Sequence, residues 1–130
     1  MNKVRTLVLG VALLGLAACV PTFPEEAQLA AVDSAPWVAV NWPAATGAND
    51  DYPVDGYLVS VDGIVVSTVE SWAEGCQLNG LADNTTYTLE VKARDSRDYW
   101  SEPLTVQHTT GVLGSTDPEI SCSTAPPPPE

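Results

Sequence analysis

Positive charge is scarce in this sequence: five Lys and Arg stand against 17 Asp and Glu, a formal net charge of -12 over 130 residues. Lys3 and Arg5 fall in the first five positions, so Lys92, Arg94 and Arg97 carry all the basic charge of the remainder. A nucleic-acid partner is excluded, because tracking phosphates takes a basic stripe. Docking onto anionic headgroups through a basic patch is excluded on the same ground, which leaves apolar or covalent attachment as the routes to a membrane. His108 is the only histidine. No metal-spaced His/Cys cluster, no Ser with its own His and Asp, and no Gly-rich phosphate loop appears, so the chain is read as no enzyme and is expected to hold no cofactor and no metal. The pairs Asp50-Asp51 and Glu25-Glu26 read as solvated charge. No apolar run reaches the length that crosses a bilayer with ease.

The longest such run, Thr6 to Ala18, follows the positive start Met1 to Arg5 and has the length of a secretory h-region. Residues 1–18 are therefore expected to be a signal peptide. Leu16-Ala17-Ala18-Cys19 resembles the lipobox of bacterial lipoproteins. That resemblance implies lipidation of Cys19, two or three acyl chains such as palmitate, and Cys19 as the mature N-terminus. Each buried CH₂ contributes about 0.8 kcal/mol, so such an anchor holds without help from protein charge. Val20, in place of aspartate after the cysteine, implies sorting to an outer membrane where the cell has one.

Residues 19–26 hold two prolines and two glutamates ahead of any alternating pattern, which predicts a short, stiff tether reaching roughly 25 Å. Residues 111–130, rich in Gly, Ser, Thr and Pro and ending in Pro126 to Pro129, predict a flexible tail or polyproline II arm that serves as a spacer. Between them, short runs alternate with period two. Val38, Val40 and Trp42 share one face; Tyr57, Val59 and Val61 another; Tyr87, Leu89, Val91 and Ala93 a third. With Leu29 and Ala31, Ile64 to Val69, Cys76 and Leu78, and Leu104 and Val106, this predicts an all-β, seven-stranded two-sheet sandwich.

The residues in this order carry a family resemblance. Trp42 closes the second strand, Leu78-Asn79-Gly80-Leu81 precedes the corner, and Ser101-Glu102-Pro103 precedes the last strand. The most specific stretch is Leu81 to Tyr87, LADNTTY, similar to a Leu-x-x-x-Thr-x-Tyr corner. Residues 27–110 resemble a fibronectin type III domain, with an immunoglobulin-like order of strands. The resemblance implies structural roles for Trp42, Leu81 and Tyr87. Asp83-Asn84 stands where the family usually has proline or glycine, a departure that keeps the turn chemistry.

The family's strand order puts the chain's point of arrival at one pole, together with the loops Pro43 to Asp55 and Ser96 to Glu102, and its exit at the other. Those loops should then hang over the lipid while the proline arm points away. They bring Tyr52, Asp50 and Asp51 toward Asp98, Tyr99 and Trp100, a candidate binding site in which rings stack on a sugar or anchor a protein and carboxylates accept hydroxyls. The competing reading has the aromatics packing over the open end of the sandwich and the aspartates initiating turns. Calcium on the same aspartates is disfavoured, because no D-x-D-x-D-G loop is present. Once Cys19 is lipidated, Cys76 and Cys122 remain as a candidate disulfide that pins the tail to the fifth strand. Cys76 has the inward parity of Leu78, so a buried thiol is the alternative. The sequence thus predicts a lipid-anchored envelope protein, at an outer membrane on its periplasmic or surface side. Its role is to bind a protein or glycan of the envelope or, alternatively, to act as a structural spacer or accessory subunit.

Overall fold

Eight β-strands, and no helix, make up the computed structural model, which describes residues 19–124. The expected signal peptide and the run Pro126 to Pro129 lie outside the described residues. The strands are β1 (Ala30–Ser34), β2 (Trp37–Asn41), β3 (Val54–Val61), β4 (Ile64–Glu70), β5 (Gly75–Asn79), β6 (Thr86–Asp95), β7 (Leu104–Thr109) and β8 (Ser121–Ser123). One antiparallel sheet has the order β1-β2-β5-β8 and the other β4-β3-β6-β7.

The alternating apolar residues explain the layering. Val38 and Val40 on β2, Cys76 and Leu78 on β5, Tyr57, Val59 and Val61 on β3, and Leu89, Val91 and Ala93 on β6 are all buried between the sheets. Each of these strands sends every second side chain inward, so two sheets stack face to face without a helix. Trp42 is buried and donates its indole N–H to the Ala73 carbonyl at 3.2 Å. Leu81 is buried, and the Tyr87 hydroxyl accepts the Ala82 N–H at 2.9 Å, which fixes the turn leading into β6. Asp62 and Gly63 join β3 to β4 with positive φ at both residues, a turn whose twist suits the hairpin.

The strand directions define two poles. The N-terminal pole carries the leader to β1 and the loops β2–β3, β4–β5 and β6–β7; the far pole carries the β1–β2, β3–β4 and β5–β6 connections and the end of β7.

Three expectations about the appendages need correction. The tail does not leave as a flexible arm: Leu113 is buried, Ile120 packs on the core, and Ser121–Ser123 adds an eighth strand on β5 with Cys122 opposite Leu78. The count of seven strands therefore rises to eight. As far as Thr124 the tail heads back rather than away, because β8 runs antiparallel to β5 and turns the chain toward the N-terminal pole; where the proline arm points lies outside the described residues. The free edge of β5 explains this: its unpaired N–H and C=O groups are taken up by the tail. The expected tether is also folded down. Pro21 is buried, Thr22 and Thr46 exchange backbone hydrogen bonds at 2.9 and 2.8 Å, and the Phe23 ring stacks on Tyr57 with centroids 6.1 Å apart. An aromatic at position 23 has more to gain from the open end of the core than from water, and the leader follows it.

The two open sides of the sandwich are closed by polar contacts. On one side His108 and Asp33 meet at 2.7 Å, and Asp33 also accepts the Gly111 N–H at 2.8 Å. The hydrogen bond from His108 and then that from Gly111 hold the Asp33 carboxyl below its usual range. On the other side the Ser67 hydroxyl accepts the Cys122 N–H at 3.2 Å and donates to the Cys122 carbonyl at 3.4 Å.

Candidate functional site

The loops of the N-terminal pole do meet, and a cation organises them. The Arg97 guanidinium carbon lies 3.9 Å from the Tyr52 ring centroid and 4.2 Å from that of Tyr99, so a planar cation is stacked on both rings. Its Nε and Nη2 donate to one oxygen of Asp95 at 3.1 and 2.6 Å. The other Asp95 oxygen accepts the backbone N–H of Arg97 at 2.8 Å and of Tyr99 at 3.1 Å. Asp95 is wholly buried. Burial alone pushes its carboxyl up, but the Arg97 side chain and the two backbone donors together prevail and hold it below the usual carboxylate range. The same side-chain hydrogen bonding, donated by Arg97 to Asp95, raises Arg97 above the usual arginine value. Arg97 thus stays charged and fixed.

The guanidinium has one further contact. Its Nη2 donates to the backbone carbonyl of Cys19 at 2.9 Å. Cys19 is exposed and its thiol is free, so the residue expected to carry lipid sits against the loop cluster rather than at the end of a spacer.

The other candidates divide. Tyr52 and Tyr99 share Arg97, while Trp100 faces a different cation: the Arg94 guanidinium carbon is 5.8 Å from its ring centroid, on the outer side of β6. Arg94 also pairs with Asp55 at 3.6 Å and with Asp98 at 3.8 Å, and Asp98 sits in a left-handed turn with φ 67°. Asp50 and Asp51 lie at an exposed loop tip, where the Asn49 side chain accepts the Asp51 N–H at 2.8 Å and shapes the turn. The six candidates therefore form two cation-centred groups and a solvated tip, not one carboxylate-lined cleft. Among the described residues, no cluster of three or more His, Cys, Asp or Glu side chains is placed to hold a metal ion.

Cys76 and Cys122 are joined as a disulfide, with Cα atoms 5.6 Å apart, and this bond ties β8 to β5 beside the Ser67 contacts. Sequence reasoning missed two contributors to the pole. Arg97 was passed over as a site residue, although an Arg within two positions of Asp95 and Tyr99 was the available signal. Trp72, in the β4–β5 loop, is 43% exposed and belongs to the same pole; nothing in its local sequence marks it.

This architecture has counterparts among solved structures. The Clostridium perfringens spore cortex lytic enzyme SleM matches with a TM-score of 0.55 at 21% identity, over 68% of this chain and 28% of that one. The central fibronectin-III array of RIM-binding protein matches at 0.56 and 19%, over 69% and 35%. The fibronectin(III)-like modules of Clostridium thermocellum CbhA match at 0.54 and 19%, over 74% and 49%. The fold is a β-sandwich of the fibronectin type III type. The chain spans less than half the length of each of these structures, and at such identities the likeness is one of fold. No protein-family model and no curated protein matches the sequence. In this chain, the eighth strand and the disulfide close the β5 edge.

Proposed function

We propose that the chain is a lipid-anchored protein of the bacterial cell envelope, attached through Cys19, that displays its fibronectin type III module to bind a protein or glycan partner. The observation that carries this reading is the position of Cys19: exposed, and held by Arg97 at one pole of the sandwich. Lipid attached there leaves both sheet faces and the far pole open to the envelope. The far pole presents Ile64, 70% exposed, and Val112, 75% exposed, apolar side chains of the kind a protein partner covers. The module is read as non-enzymatic, and the sorting implied by Val20 favours an outer membrane.

A second reading, a spacer or accessory subunit tying a larger assembly to the membrane, is favoured by the internal use of the loop aromatics. One face of Tyr52 and one of Tyr99 are already taken by Arg97. In-cell photo-crosslinking separates the two, with a crosslinkable residue in turn at Ile64, at Glu90 on the outer face of β6, and at Tyr99. A discrete adduct from Ile64 or Tyr99 supports the binding module, and its mass identifies the partner. Adducts from Glu90 alone, or from none of the three, move the assignment to the accessory subunit or spacer.

A further inference from the structure

The aromatic side chains that remain exposed are not spread over the surface. Trp72 at 43%, Tyr99 at 48% and Trp100 at 37% all belong to the N-terminal pole, whereas the exposed Ile64 and Val112 belong to the far pole. Aliphatic side chains gain nothing special at a lipid headgroup, but indole and phenol rings settle there, one part apolar and one part hydrogen-bonding. Among the described residues, the pole has no unmatched cation: Arg94 pairs with Asp55 and Asp98, and Arg97 with Asp95. Its loops also carry Asp50, Asp51, Glu74 and Glu102. Such a surface suits zwitterionic headgroups and is repelled by anionic ones.

Cys19 lies within the same pole and has no slack. The leader behind it is pinned by the Thr22–Thr46 bridge, the Phe23–Tyr57 stack and the Arg97 hydrogen bond. A lipid on Cys19 must therefore bring this pole to the bilayer surface rather than let the module swing.

We infer that Trp72, Tyr99 and Trp100 form a membrane-contact surface that inserts at the headgroup level of a zwitterionic bilayer and stands the module upright on its anchor. This rests on the reading of Cys19 as the anchored residue. All eight strands and the core lie within residues 19–124, so the chain from Cys19 onward contains the folded unit. Its one free cysteine accepts a maleimide-phospholipid in phosphatidylcholine vesicles, which makes the test independent of lipidation in the cell.

The four tryptophans of the chain supply the probes. With 5-fluorotryptophan in place, each gives its own fluorine resonance: Trp72 and Trp100 at the contact surface, Trp42 buried beneath the same pole, and Trp37 at the far pole. With a spin-labelled phospholipid in the vesicles, the Trp72 and Trp100 lines should broaden severalfold more than those of Trp42 and Trp37. The effect should shrink when phosphatidylglycerol is added, and Trp72 should lose most of its broadening in the double variant Tyr99→Ser, Trp100→Ser. Equal broadening at Trp42 and Trp72, or a Trp72 signal indifferent to the double variant, overturns the inference. So does a protein adduct from the crosslinker at Tyr99, since a partner then holds the rings. Absence of acyl groups on Cys19 in cells would instead defeat the proposed anchoring while leaving the vesicle result standing.

Discussion

Replacing Cys122 with alanine opens the link between β8 and β5, and the consequence can be worked from the structure. The bond closes a loop with a sequence separation of 46 residues. In the chain-entropy account, a cross-link over a loop of that length withdraws about 4 kcal/mol of conformational freedom from the unfolded state at 25 °C. Engineered and native examples deliver less than the full figure, so a loss of about 2–4 kcal/mol is expected for Cys122→Ala. The folded state also changes. β8 keeps its pairing with β5 and its contacts with Ser67 but loses the covalent tie, and a three-residue strand has few hydrogen bonds of its own. The assay is urea unfolding, followed by tryptophan fluorescence, of the oxidised protein and the variant. The midpoint should fall and the slope should rise, because an uncrosslinked chain exposes more surface on unfolding. Hydrogen exchange at Ser121 to Ser123 should accelerate well ahead of global opening. A stability loss below about 1 kcal/mol with an unchanged slope would refute the argument, since the cross-link would then not be constraining the unfolded chain.

Other outcomes are expected from single residues. Leu78→Ala, at a fully buried site, should cost about 2–5 kcal/mol by denaturant unfolding. Tyr87→Phe removes the acceptor for the Ala82 N–H and should cost about 1 kcal/mol by the same measurement. Gly63 and Gly80 both have φ +85°, but a Cβ at Gly63 meets open space while one at Gly80 runs into the Glu119 carbonyl. Alanine at position 63 should therefore cost about 1–2 kcal/mol, and alanine at position 80 more, with β8 displaced as judged by exchange at Cys122. Asp95 has its carboxyl lowered in the folded state, so its contribution is present above about pH 4, the unfolded value, and is lost as pH falls through the lowered folded one. The stability difference between the wild type and Asp95→Asn, measured across that window, should narrow on acidification.

The sandwich itself was legible because alternation is a strong signal wherever both sheets bury a face. Val59 and Val91 could only be inward, and Tyr87 two residues before Leu89 fixed the corner. Leu113 and β8 were not legible: Gly111 to Ile120 reads as turn residues, and Ser-Cys-Ser has neither length nor alternation. Only the cysteine pair hinted that the tail returns. The leader was misread for a related reason, since two prolines and two glutamates suggest a stiff spacer, while the single ring of Phe23 finds a stacking partner in Tyr57 across the sequence. At the candidate site the aromatic and acidic residues were visible, but their grouping around Arg97 and Arg94 depends on where two loops cross, which no local pattern encodes.

The most direct test of the account is the intact mass of the protein purified from the membrane fraction of its own cells. The expected mass is that of a chain beginning at Cys19, heavier than the unmodified residues 19–130 by a diacylglyceryl group or by that group plus a third acyl chain. A soluble chain of unmodified mass, or one that retains residues 1–18, would contradict it.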